Sequence, residues 1–231
     1  MKKYILLLLV ILVFSCSKKQ NDLIVQTNIK GLKKGTVYLK RVIDTALVTV
    51  DSIVVNGNSQ FELQSELEEA DVFYLYLDKN SKEDDRITFF ADKGIVTINT
   101  SLKNFVADAE IKGSEQQKVL EQYQKLMSRL NNRNLDFIKE SFQAQKSGDS
   151  SAFNAIEKKQ NSLVKSRYLQ TVNFAINNKD SEVAPYLALS EIYNANINLL
   201  DTIHKSLTPK IKASKYGKEL QKYLEERKQN D

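Results

Sequence analysis

The residue types that most often carry chemistry are scarce here: cysteine occurs once, at Cys16, and histidine once, at His204. A single cysteine cannot make an internal disulfide, a CxxC redox centre or a Cys/His zinc site, so the chain alone offers none of these. Asp201 precedes His204 by three residues, a spacing that places both on one face of a helix. A catalytic histidine also needs a nucleophile, and the sequence contains no G-x-S-x-G elbow, so His204 reads as solvated or partly packed. Asp78-x-Asn80 followed by Glu83-Asp84-Asp85 has the look of a calcium loop. Its fifth position is Lys82, however, and its sixth is Glu83 where a glycine is required, so it reads as a charged hairpin loop. No Gly-rich phosphate loop, metal-ligand spacing or paired-carboxylate motif stands out, and a glycosidase carboxylate pair meets only in space. The expectation is no catalytic residue, no cofactor and no metal.

Cys16 gains meaning from what precedes it. Lys2 and Lys3 make a cationic start, and residues 4–14 form an uncharged run of 11 (YILLLLVILVF). A transmembrane helix needs about 20 apolar residues, so this run fits a secretory signal peptide instead. The run ends Leu12-Val13-Phe14-Ser15-Cys16, which resembles the bacterial lipobox. That resemblance implies cleavage between Ser15 and Cys16, a diacylglycerol on the thiol and a third acyl chain on the new amine. Two or more acyl chains anchor a protein stably, whereas one does so only marginally. Residues 17–22 (SKKQND) are polar and read as a tether of at most about 20 Å. Ser17, where an aspartate could stand, resembles the signal that permits sorting to the outer membrane, with the domain facing the periplasm or the surface. The membrane, reached through the lipid at Cys16, is thus the first expected partner.

The elements that would position any site change character once, near residue 112. Removing the signal from 231 residues leaves 216, enough for one generous domain or two small ones. Hydrophobic residues make up 42% and charged residues 27%, which excludes both a disordered polymer and a multi-span membrane protein. Up to residue 112 the hydrophobic period is mostly two, with candidate strands at 23–29, 36–42, 48–55, 60–64, 72–77, 86–91, 95–100 and 107–112. Asn56-Gly57 is the strongest turn signal among the breaks and predicts a type I′ hairpin. The stretch 72–77 (VFYLYL) is apolar on both faces and predicts a central strand covered on both sides. From Glu115 the period becomes 3.6, with Val119, Leu120, Tyr123, Leu126, Met127 and Leu130 along one helix face. Ser114 is the expected N-cap and Gln117 the other half of a capping box. Leu135, Ile138 and Phe142 predict a second, shorter helix, and a long helix is expected over 151–177. Further helices are predicted around Val183–Tyr193, Leu199–Ile203 and Tyr216–Arg227, with a short turn opened by Thr208-Pro209. The fold class is therefore α+β. Its parts are a signal at 1–15, the lipidated cysteine and tether at 16–22, an antiparallel β-sandwich or open barrel at 23–112, and a helical segment at 113–231.

An export signal, a small β domain and a helical segment in this order resemble the family called domain of unknown function 4369, found in envelope lipoproteins of Gram-negative bacteria. The matching stretches are Gly35-Thr-Val-Tyr-Leu39, Asp51-Ser52, Asn56-Gly57, Phe73-Tyr-Leu75, Ile87-Thr-Phe-Phe90, Lys93-Gly94 and Ile111-Lys-Gly-Ser114. The similarity runs on through Ala184-Pro-Tyr-Leu187, Leu207-Thr-Pro209 and Ser214-Lys-Tyr-Gly217. Members of the family often carry a thioredoxin-like domain next in the chain. This sequence stops at Asp231, about where that domain would begin, so redox activity is not expected to carry over.

Three functions from different classes follow. The first is a non-enzymatic, lipid-anchored binding or interaction module. The second is an accessory to a separate thioredoxin-like oxidoreductase, holding it through the 72–77 sheet edge or the Tyr186–Tyr193 helix. The third is an envelope hydrolase with an unrecognised site. Export argues against nucleic acid as a partner. The basic bias late in the chain, eight Lys/Arg against four Asp/Glu over 205–231, reads as a solvated helix face, or more sharply as attraction to anionic lipid.

Overall fold

The computed structural model describes residues 22–78 and 85–230. Ser15, Cys16 and positions 79–84 of the charged loop lie outside the described residues. Among the described residues eight strands come first: β1 (Leu23–Lys30), β2 (Lys34–Ile43), β3 (Ala46–Asn56), β4 (Gln60–Ser65), β5 (Asp71–Tyr76), β6 (Arg86–Ala91), β7 (Gly94–Ser101) and β8 (Glu110–Lys112). They form two four-stranded sheets, β4-β1-β7-β8 (sheet A) and β3-β2-β5-β6 (sheet B). The sheets face each other and do not close into a barrel. Strand pairs are antiparallel except β1 with β7, which run parallel from Leu23↔Gly94 to Lys30↔Ser101.

Period-two alternation puts one set of side chains from each sheet into the sandwich core. Leu23, Val25, Ile29, Leu63, Val96 and Ile98 from sheet A meet Val37, Leu39, Phe73, Leu75, Ile87 and Phe89 from sheet B. Two readings of the turns change. Asn56-Gly57 does not close a hairpin, because β3 and β4 lie in different sheets and the turn carries the chain from one to the other. Gly57 has φ 92°, but Asn56 is not left-handed, so a type I′ turn is not formed. The tight two-residue connection is Asp44-Thr45 between β2 and β3, where Asp44 takes φ 57°. β8 is also shorter than expected, since residues 103–108 turn and Thr100 Oγ1 donates to the Phe105 carbonyl at 2.6 Å.

Six helices follow: α1 (Glu115–Ser147), α2 (Ser150–Asn177), α3 (Val183–Ser190), α4 (Ile197–Ser206), α5 (Pro209–Lys212) and α6 (Lys215–Asn230). α1 is one helix of 33 residues, not the two expected. Leu135, Ile138 and Phe142 lie on a different face from the Leu120–Leu130 stripe, which looks like a break in the period. No glycine or proline interrupts the backbone there, so the helix runs on to Gly148, which caps it at φ 73°. Ser114 is the N-cap, its Oγ accepting from the Gln117 N–H at 3.0 Å. Gln117 does not complete the capping box. It is buried, and its Oε1 accepts the Phe90 N–H of β6 at 2.9 Å.

The stretch 72–77 is covered on both sides, as its composition requires. It lies inside sheet B, between β2 and β6, so it offers no sheet edge to a partner. Phe73 and Leu75 point into the sandwich, while Val72 and Phe90 point the other way into a second core with Leu120, Tyr123, Met127, Val183, Leu187 and Tyr216. Phe90, Tyr186 and Tyr216 pack there edge to face, with centroids 5.4–5.6 Å apart. Tyr186 is therefore half-buried against this core, and Tyr193 beyond α3 is exposed. The result is three layers: sheet A, sheet B, helices. α5 and α6 meet at Gly217, where an added Cβ would lie 1.9 Å from the Ile211 carbonyl oxygen.

Because sheet B and the helices share one core, the β and helical parts should unfold in a single transition. Phe90→Ala should cost about 3–5 kcal/mol, read by denaturant titration, and far-UV and tyrosine near-UV dichroism should shift together. Separate transitions for the two signals would contradict a shared core.

Candidate functional site

Helices cover the outer face of sheet B over β5 and β6 and leave the outer face of sheet A open. That face carries a trough of about 450 Å³ lined chiefly by amide side chains. Strand register sets this face in two rows, Glu62, Gln26, Thr97 and Lys112 in one and Gln60, Asn28, Asn99 and Glu110 in the other, and the trough lies over the first three of each. Asn58, in the turn after β3, completes one end. Asparagine is depleted in strands because its side chain competes for backbone hydrogen bonds and packs poorly on a pleated surface. Two of them directly paired in neighbouring strands, Asn28↔Asn99, are thus a departure from local preference. Such departures concentrate at functional sites.

The trough is partly preorganised. Gln26 Nε2 donates to Glu62 Oε1 at 3.0 Å, Ser59 Oγ donates to Asn28 Oδ1 at 3.3 Å, and the Gln60 N–H donates to Asn58 Oδ1 at 3.0 Å. Among the described residues, the side-chain amides of Gln60 and Asn99 have no hydrogen-bond partner. Beneath the floor Thr27 is 3% exposed, and its hydroxyl is buried without a partner. Amides present a donor and an acceptor side by side and carry no charge, so the trough suits a neutral ligand bearing hydroxyls or amides.

A second polar cluster, Asp71 and its partners, lies at the seam between sheet B and the helices. Asp71 is 5% exposed and accepts from Tyr216 Oη at 2.6 Å, from Lys215 Nζ at 2.8 Å and from the Val72 N–H at 2.8 Å. Arg41 approaches its other oxygen at 4.0 Å. Burial, then the charge of Asp71, pushes the Tyr216 hydroxyl far above its usual value, so it stays a donor. Close by, Ser214 Oγ donates to Glu182 Oε2 at 2.6 Å, and Ser181 Oγ donates to Gln116 Oε1 at 2.6 Å. Burial raises the Glu182 pKa, and the Ser214 hydrogen bond partly offsets it. Held by Tyr216 and Lys215 of α6 and by the β5 backbone, Asp71 fastens the helices to the sheet.

His204 and Asp201 lie on α4 as expected but do not pair. Asp201 accepts from Lys205 at 2.5 Å and Lys228 at 3.1 Å, which lowers its pKa. His204 is half-buried, and its Nε2 is buried without a partner. Among the described residues no cluster of His, Cys, Asp and Glu could hold a metal, and no described helix is long and apolar enough to cross a membrane. The trough escaped the sequence reading because its amides come from three strands and a turn. The only local signal was asparagine in mid-strand.

With this geometry in place, residues 23–120 match the family described as a domain of unknown function (DUF4369). The match covers less than half of the chain. It takes in all eight strands, hence the whole trough, and the first turns of α1 with Gln117 and Leu120. The family unit thus includes the part of α1 that seals β6. The similar pieces at 184–187, 207–209 and 214–217 lie outside the match. No curated protein matches the chain.

Burial, then the nearby Lys212 ammonium, depresses the His204 pKa below 6.5. A depressed histidine contributes stability that is fully present above pH 6.5 and is lost as pH falls through the folded value. As the only histidine, it should give one imidazole signal in NMR titration with a midpoint below 6.5. Tyr216→Phe should destabilise the fold by about 1–3 kcal/mol by removing one of the donors to buried Asp71, as measured by denaturant unfolding.

Proposed function

We propose that the protein is a lipid-anchored component of the cell envelope, acylated at Cys16, in which the β domain and helices form a non-enzymatic binding module. Cleavage between Ser15 and Cys16 would leave the tether at 17–22 leading into β1, with the module on the outer membrane facing the periplasm or the surface. The binding role rests chiefly on the paired Asn28 and Asn99 in the open face of sheet A, a residue type that strands disfavour. The ligand class they favour is neutral and rich in hydroxyl or amide groups, such as an uncharged oligosaccharide. A non-enzymatic role fits the same residues: amides do not titrate, and the one carboxylate among the central pairs, Glu62, already accepts from Gln26.

Metabolic labelling with a palmitate analogue should mark the wild-type protein and not Cys16→Ala; equal labelling of both would refute the anchor. Arrays of neutral oligosaccharides probed with the purified protein should give binding that Asn28→Ala/Asn99→Ala weakens about tenfold or more, or about 1.4 kcal/mol. Binding unchanged in the double variant would remove the trough from the function.

A further inference from the structure

The distal half of the α1–α2 hairpin departs most from what water tolerates. α1 is about 50 Å long, and past Leu130 it leaves the helical core and packs only on α2. Over 131–166 the buried apolar residues are Phe137, Ala144 and Ile156. On the opposite side of α1, Leu135 is 63% exposed, Ile138 51% and Phe142 68%. Their spacing, i, i+3 and i+7, aligns them in one stripe. Large apolar side chains exposed as a contiguous patch mark a contact surface.

Charge selects what covers it. Lys139 and Lys146 fall one helical turn from Leu135 and Phe142, on the same face, and both are exposed. The remaining positions of that face, Ser128, Asn131 and Gln145, are uncharged. The acidic residues of this stretch, Asp136 and Glu140, project from other sides, and Asp136 pairs with Arg133 at 3.7 Å. An apolar stripe flanked only by lysines matches an anionic lipid surface, where the stripe enters the acyl boundary and the ammonium groups meet phosphates. A protein partner fits less well. Three side chains offer on the order of a few hundred Å², against the ~800 Å² each partner gives to a stable interface.

We propose that this face of α1 docks on anionic lipid, as a membrane contact separate from the acyl chains at Cys16. It extends the anchoring reading and does not depend on it. The test places an environment-sensitive dye on Phe142→Cys, with Asp136→Cys as the off-face control and the wild type as the labelling blank. All are prepared as the full processed protein and mixed with vesicles of phosphatidylcholine alone or with about 30% phosphatidylglycerol. The dye at 142 should shift to the blue with the anionic vesicles only. The shift should fall at about 0.5 M salt and vanish in a Lys139→Glu/Lys146→Glu background, while the dye at 136 stays unmoved. No shift at 142, an equal shift with phosphatidylcholine alone, or a shift that grows with protein concentration without vesicles would overturn the proposal, the last in favour of a second copy. Dye on the wild type would mark Cys16 as free and refute the anchor, and once that blank is subtracted the signal at 142 remains readable.

Discussion

Strands β5 and β6 of sheet B are apolar on both faces, and strands of that kind are stable only when both faces are covered. Phe73 and Phe89 fill the side toward sheet A, while Val72 and Phe90 fill the side toward the helices. Burying a Phe or Val side chain contributes about 1.5–3 kcal/mol, so an uncovered face would remove a large part of any domain's margin. The helical segment is therefore not an appendage to a finished β domain. Leu120, Tyr123, Leu187 and Tyr216 supply half of a core whose other half is strands β5 and β6.

The polar groups at that seam have a different task. Apolar packing is non-directional and would tolerate several orientations of α6 on the sheet. Asp71 tolerates few, because removing it from water is unfavourable unless Tyr216, Lys215 and the Val72 N–H all reach it. Gln117 does likewise for α1 by satisfying the Phe90 N–H. These contacts set where the helices lie, and the apolar core supplies most of the stability.

Covering β5 and β6 on both sides leaves other surfaces with no internal duty, and two of them are distinctive. One is the outer face of sheet A, where polar residues are expected and where four amides cluster beside Thr97 and Glu62. The other is the free length of α1, which extends past everything it could pack on except α2. The trough and the stripe are far apart in chemistry, one polar and rich in amides, the other apolar and basic, so they suit different ligands.

Much of this architecture is local in origin and was legible in the sequence. Period-two alternation gave the strands to within a few residues, and the switch to period 3.6 placed the helices. The two-faced apolarity of 72–77 required a covered central strand, and Ser114 announced the start of α1. Wherever long-range pairing decides, the sequence fell short. Asn56-Gly57 is a hairpin signal only if its flanking strands share a sheet, and here they do not. The parallel β1–β7 pair, the union of two expected helices into α1, and the loss of Asp201 from His204 to two lysines all depend on neighbours distant in the chain. The trough is the clearest case. Gln26, Asn28, Gln60, Glu62 and Asn99 become one site only through strand register, and a slip of one residue would turn each of them into the core. Side-chain pattern fixes which residues face water, because hydration acts on each residue separately. Which of them meet is fixed by strand pairing across tens of residues, and only the folded chain determines that.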